Sequence, residues 1–167
     1  MTHINLVEPF QMLSKPLMAE YRRLPRIFTA VRELEAQGKT AGDVEIPEHY
    51  VLGAGHERFF YPKIDWLRRR YAEIRDELIS RDYILDPTLS AKILSDTESI
   101  GEGWRKPYKP TPDEICLSMA HLCVRSGLDS VADELARGLA PAKGLGAARS
   151  VRVEWERGLV ALAGEDQ

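Results

Sequence analysis

Two cysteines in 167 residues are too few for a disulfide framework, and they do not stand at zinc-ligand spacing. Cys116 and Cys123 lie seven residues apart in a helical segment, share one face, and are expected to pack as small hydrophobes. No run of about 18 apolar residues exists to span a bilayer. The first residues, MTHINLVEPF, lack a basic stretch followed by an apolar one, so no signal peptide is read there and a cytoplasmic location is expected. Strand-type alternation is scarce, limited to short pieces such as YVL at 50–52. No internal repeat is evident. Neither sign of charge dominates, with 23 Lys+Arg against 26 Asp+Glu. What remains is the composition of an ordinary globular chain, 44% hydrophobic and 29% charged, long enough for one domain with its own core.

The charge is unevenly placed. Residues 1–70 hold 11 Lys+Arg against 9 Asp+Glu, while residues 71–167 hold 12 against 17. A mildly basic front and an acidic back permit a local anion-binding face.

Helical periodicity dominates. Leu17, Tyr21, Leu24, Phe28 and Val31 form one apolar stripe, with Ser14 as the expected N-cap. Pro25 lacks an N–H and should bend this helix without ending it, because the stripe continues beyond it. A second stripe runs through Ile64, Leu67, Tyr71, Ile74 and Leu78, with Arg68, Arg69, Arg70 and Arg75 mostly outside it. A third helix starts at TPDE. Thr111 caps, Pro112 takes the first helical position, and Glu114 completes a capping box. Its apolar side is expected to use Ile115, Met119, Leu122 and Cys123. Residues 38–62 and 86–110, rich in Gly and Pro, read as long connectors. A fourth helix is expected near 129–139, a linker near 138–149, and a last amphipathic helix in SVRVEWERGLVALAG. The fold class is all-α: about three main crossing helices with long ordered loops, plus a helical tail.

Two features of the front half carry chemistry. Thr2 is small enough to permit removal of Met1, which leaves its own α-amine as the first group of the chain. Such an amine has a pKa of about 7.7–8.0, so a useful fraction is neutral near pH 7 and able to form a Schiff base. Lys15, Arg22 and Arg26 stand at i, i+7 and i+11, on one side of the bent helix, with Arg23 adjacent. Arginine forks match phosphate oxygens and position a nucleic-acid backbone.

The segments MTHINL, LMAEYRRLPRIFTAVR and YVLGAGHERFFYPKIDWLRRR resemble the phage pyrimidine-dimer DNA glycosylase/AP lyase family, also called phage endonuclease V. The resemblance runs without an obvious gap to about residue 80, weakens through 125 and is lost beyond. It implies a glycosylase-like domain over 1–127 and an unrelated tail over 128–167. It implies a monomer that binds double-stranded DNA carrying a lesion or abasic site, with a base flipped from the stack and no metal or cofactor. By the same resemblance, Thr2 is the nucleophile at C1′, and β-elimination follows from the imine. Arg22 and Arg26 contact DNA. Gly53, Gly55 and His56 belong to a motif read as architectural, and Phe59, Phe60 and Tyr61 as core.

Several positions depart from the family. Arg23 stands where the family carries an essential glutamate. His3 replaces a basic residue, Pro16 a histidine, and His121 and Arg125 fall near a family arginine and lysine in the third helix. DNA contacts are therefore expected at His3, Lys15, Arg22, Arg23, Arg26, His121 and Arg125. A guanidinium about 6 Å from the reacting carbon, at an effective dielectric of about 20, repels its developing charge by roughly 3 kcal/mol. Glu20, one turn earlier, is the candidate replacement carboxylate, with Glu8 a second. The alternatives are that Arg23 turns outward to phosphate and the protein works on abasic sites, or that it binds damaged DNA without chemistry.

Overall fold

The computed structural model describes residues 3–125. Its α-helices are α1 (Ser14–Arg23), α2 (Pro25–Ala36), α3 (His56–Phe60), α4 (Ile64–Ser80), α5 (Pro87–Asp96) and α6 (Pro112–Arg125). Short 3-10 turns occupy Pro9–Gln11, Ala41–Asp43 and Glu102–Trp104. Among the described residues there is no strand, only an isolated antiparallel bridge between Lys63 and Arg105. The fold is all-α. The helices expected after residue 126 and the linker near 138–149 lie outside the described residues.

The chain divides into two compact units. Of the described residues, the first comprises 3–4, Glu8–His49 and Gly55–Lys109; the second takes Asn5–Val7, Tyr50–Ala54 and 110–125.

In the first unit, α1 packs on α4 and on α2. Both apolar stripes meet there: Leu17, Leu24, Val31, Ile64, Leu67, Ile74 and Leu78 are fully buried. Each such side chain contributes about 1.5–3 kcal/mol by leaving water. Tyr21 stacks on Tyr71 with centroids 5.0 Å apart, and the Tyr21 and Ser90 hydroxyls share a hydrogen bond of 2.6 Å. Burial, with the neighbouring Tyr21 hydroxyl second, holds the Tyr71 phenol well above its ordinary pKa.

Pro25 does more than bend one helix: α1 ends at Arg23 and α2 begins at Pro25. Leu24 between them keeps helical dihedrals (φ −52°, ψ −40°) and its N–H reaches Glu20 O at 2.9 Å, so the helical path carries through this bend, where Pro25 has no N–H to give to the preceding turn. Ser14 departs from expectation. It is the first helical residue, and the cap position is Leu13, which makes no side-chain cap bond. The Ser14 hydroxyl instead accepts from Arg81 Nη1 at 3.1 Å.

Residues 86–110 are not a bare connector. Asp86 caps α5 by accepting from the Thr88 and Leu89 N–H groups, and Pro87 takes the first position. Beyond it, Arg105 binds Asp65 and donates to the Ile100 and Thr97 carbonyls at 2.9 and 2.7 Å. Residues 38–62 likewise contain α3, whose Phe59 and Phe60 are core residues as expected and Tyr61 half-buried. Phe59, Phe60, Trp66 and Tyr108 meet edge-on or stacked, and Lys63 Nζ sits 3.6 Å over the Phe59 ring.

In the second unit, α6 starts as predicted. The Thr111 N–H reaches Glu114 Oε2 at 2.9 Å, and the Glu114 N–H reaches Thr111 Oγ1 at 3.3 Å. Its buried face is not the expected one. Leu117, Ser118, Ala120 and His121 are buried, whereas Ile115, Met119, Leu122 and Cys123 are half-buried. The reason is polar: Ser118 Oγ accepts the Leu6 N–H at 2.8 Å, which turns a serine inward. Burial raises the Cys123 thiol above its usual pKa.

Candidate nucleic-acid interface

Charged side chains in the first unit sort into two groups. Every arginine from Arg32 to Arg105 pairs with a carboxylate: Arg32 with Asp96, Arg58 with Glu45, Arg68 with Glu98, Arg69 with Glu73, Arg70 with Glu20, Arg75 with Asp76, Arg81 with Glu77 and Arg105 with Asp65. Arg22 and Arg26, on either side of the bend, are exposed and pair with no carboxylate among the described residues. Lys15, on α1, is exposed too, and Arg23 is exposed beside them. Lys15 and Arg22 on α1 and Arg26 on α2 are all exposed, and Leu24 between the helices keeps helical dihedrals. The exposed guanidinium groups of Arg22 and Arg26, with no carboxylate partner among the described residues, make a locally positive surface suited to phosphate.

Glu20 lies elsewhere. It is 2% exposed, and its Oε1 accepts from Arg70 Nε at 2.9 Å, with Oε2 3.4 Å from Nη2. The same Nη2 reaches Met12 Sδ at 3.2 Å. Glu20 is the one carboxylate of α1, and it faces Arg70 in the core. Arg70, expected outside the stripe, is 3% exposed. A signal for this pair was present. Glu20 stands between Leu17 and Leu24 at spacings of three and four, and Arg70 stands likewise between Leu67 and Ile74. Opposite charges on two apolar rows must meet each other or remain unmatched.

The N-terminal arm is tied down at two places. Ile4 is fully buried, and its N–H donates to His56 Nε2 at 2.9 Å. His56 is fully buried at the start of α3, behind Gly55, whose φ of 93° favours glycine. The architectural reading of this histidine therefore holds, as a partner for the arm. Farther along, Arg81 donates to the carbonyls of Met12 at 2.8 Å and Pro9 at 3.1 Å while holding Glu77. Nothing in the spacing of the sequence pointed to Arg81.

His3 is half-buried with its ring centroid 5.4 Å from that of His56. Thr2 lies outside the described residues. His121 and Arg125 belong to the second unit. His121 is 3% exposed, so it presents no surface to a backbone, and Arg125 is exposed at the end of α6. Pro16 is half-buried in the first turn of α1.

These features define a helical protein with a cationic bend between its first two helices and a firmly packed arm before them. A family model described as Pyrimidine dimer DNA glycosylase matches residues 1–91, a stretch that runs from the arm into α5 and stops short of α6. The chain belongs to the pyrimidine dimer DNA glycosylase family, a family of DNA repair enzymes. No described helix is long and apolar enough to cross a membrane.

Proposed function

We propose that the protein is a DNA glycosylase/AP lyase whose Thr2 amine, freed by loss of Met1, forms a Schiff base at C1′ of a damaged or abasic deoxynucleotide. At a damaged nucleotide the amine nitrogen bonds to C1′ as the glycosidic bond breaks, and the base leaves with a proton; the C1′–O4′ bond then opens, O4′ takes up a proton, and C1′ and the nitrogen form the imine. At an abasic site the amine condenses with the C1′ aldehyde and water leaves. In both cases the imine acidifies C2′, a proton is lost there, and the 3′ C–O bond breaks to release the phosphate. No metal or cofactor enters these steps.

The observation that carries this reading is the exposed, carboxylate-free pair Arg22 and Arg26, in a chain whose other first-unit arginines from Arg32 onward are matched. On this reading Lys15, Arg22, Arg23 and Arg26 hold phosphates and His3 lies beside the reacting sugar. Arg125, exposed at the end of α6, is a further candidate for phosphate contact. Glu20 acts on Arg70 and not on substrate, because separating a buried pair costs about 3–5 kcal/mol. The loss of a reachable carboxylate on α1 shifts the preferred substrate toward abasic sites, where no base remains to be expelled. The protein is expected to act as a monomer.

A second reading is a protein that binds damaged DNA without chemistry. It is favoured by one observation: α1 carries Arg23 on its exposed surface and has its single carboxylate buried against Arg70. Borohydride reduction in the presence of abasic-site DNA separates the two. The first reading predicts a covalent adduct whose DNA maps to Thr2 by peptide mass. Tight binding with no adduct supports the second and overturns the first.

A further inference from the structure

His56 takes no part in the chemistry just proposed, yet it grips the chain two residues from the proposed nucleophile. Gly55 closes the start of α3 in a left-handed conformation, so the helix begins with His56 directed inward. The Ile4 N–H donates to Nε2 at 2.9 Å, with both residues fully buried. A ring nitrogen that accepts carries no proton, so the neutral ring holds its proton on Nδ1. Phe60, on the same helix, meets the ring edge-on at 5.4 Å between centroids, and the His3 ring lies 5.4 Å away. The ring is thus braced by its own helix and bonded to the arm. Successive Cα atoms are about 3.8 Å apart, which keeps Thr2 Cα within roughly 7.6 Å of Ile4 Cα. An anchor so near the terminus restricts where its amine can travel.

We propose that His56 is a positioning residue: by accepting the Ile4 N–H it fixes the arm so that the Thr2 amine is presented to C1′. This rests on the nucleophilic role proposed for Thr2. The ring touches neither substrate nor amine in this role. It acts through the backbone of Ile4, and its contribution is orientation, to which amine attack is sensitive.

The test uses the full chain carrying H56F, H56Q or H56N. Phenylalanine keeps the ring and removes the acceptor. Glutamine reaches the position of Nε2 with its Oε1, and asparagine falls short of it. Three quantities are measured: hydrogen exchange of the peptide covering residues 2–7, the Kd for an abasic duplex, and the single-turnover rate of borohydride trapping. H56F and H56N are expected to lose protection in that peptide and to trap on the order of a hundredfold more slowly. Their Kd should stay close to that of the wild type, and H56Q should regain most of the protection and rate. Should H56F lower the melting temperature too far, H56N carries the comparison. Unchanged exchange in H56F and H56N overturns the proposal, as does an equal loss of rate in H56Q, or a loss of rate matched by a loss of affinity. A wild-type protein that traps nothing contradicts the Thr2 reading instead. In that case the exchange data still decide whether His56 holds the arm.

Discussion

The arginines of α4 and those at the α1–α2 bend are chemically identical and stand in opposite environments. On α4, Arg68, Arg69, Arg70 and Arg75 each face a carboxylate at 3.5, 3.9, 2.9 and 2.7 Å. At the bend, Arg22 and Arg26 face none among the described residues. The first arrangement neutralises charge locally and binds the protein to itself. The second leaves positive charge on the surface, where screening by salt limits its reach to about 10 Å. A partner bearing phosphates at that spacing therefore sees the bend and not α4. The lesson is that an arginine count of a sequence says little about anion binding until the carboxylates have been placed.

The comparison breaks most sharply at Arg70. Replacing it alone, as R70M, removes the guanidinium that faces the buried Glu20 carboxylate and is expected to destabilise the fold by about 3–5 kcal/mol in urea unfolding. The double variant E20L/R70M removes both charges. It should recover nearly all of that loss, because well-packed apolar residues commonly match a buried pair. If the double variant is as unstable as R70M, the pair is not the reason Arg70 is buried. Next in size is Gly55, where alanine must adopt a φ of 93°. G55A should cost about 1–2 kcal/mol in the same assay. Smallest is R69A on the exposed face of α4, whose pair with Glu73 spans 3.9 Å between half-exposed or exposed groups. It is expected to change stability by less than about 1 kcal/mol and to leave DNA affinity unaltered.

Much of this was legible in the chain. The stripes Leu17 to Val31 and Ile64 to Leu78 located the helices and their buried faces, because one apolar period admits few other solutions. The cap at Thr111 followed from local chemistry that needs no tertiary contact, as did the interruption at Pro25, which divides the helix where only a bend was expected. Other features depended on distant partners. Arg70 stands on its apolar row by spacing, but a charge was expected outside the stripe until Glu20, 50 residues earlier, was placed opposite it. The inward turn of Ser118 depends on the Leu6 N–H, and the task of Ser14 on Arg81. Residues 86–110 hid a short helix, since Asp86 and Pro87 resemble turn residues as much as a cap and a first helical residue. Within the candidate site, Arg22 and Arg26 stood out by spacing. Their lack of carboxylates could only be seen once the other arginines had found theirs.

The most direct measurement is the salt dependence of binding to one abasic duplex, compared for the wild type, R22A/R26A and R69A/R75A. If the bend grips phosphate, R22A/R26A lowers the slope of log K against log salt by about 2, roughly 1 for each arginine, with an unchanged melting temperature. R69A/R75A then keeps the wild-type slope. Equal slopes for the wild type and R22A/R26A, or an equal drop in R69A/R75A, would contradict the assignment of the bend to DNA.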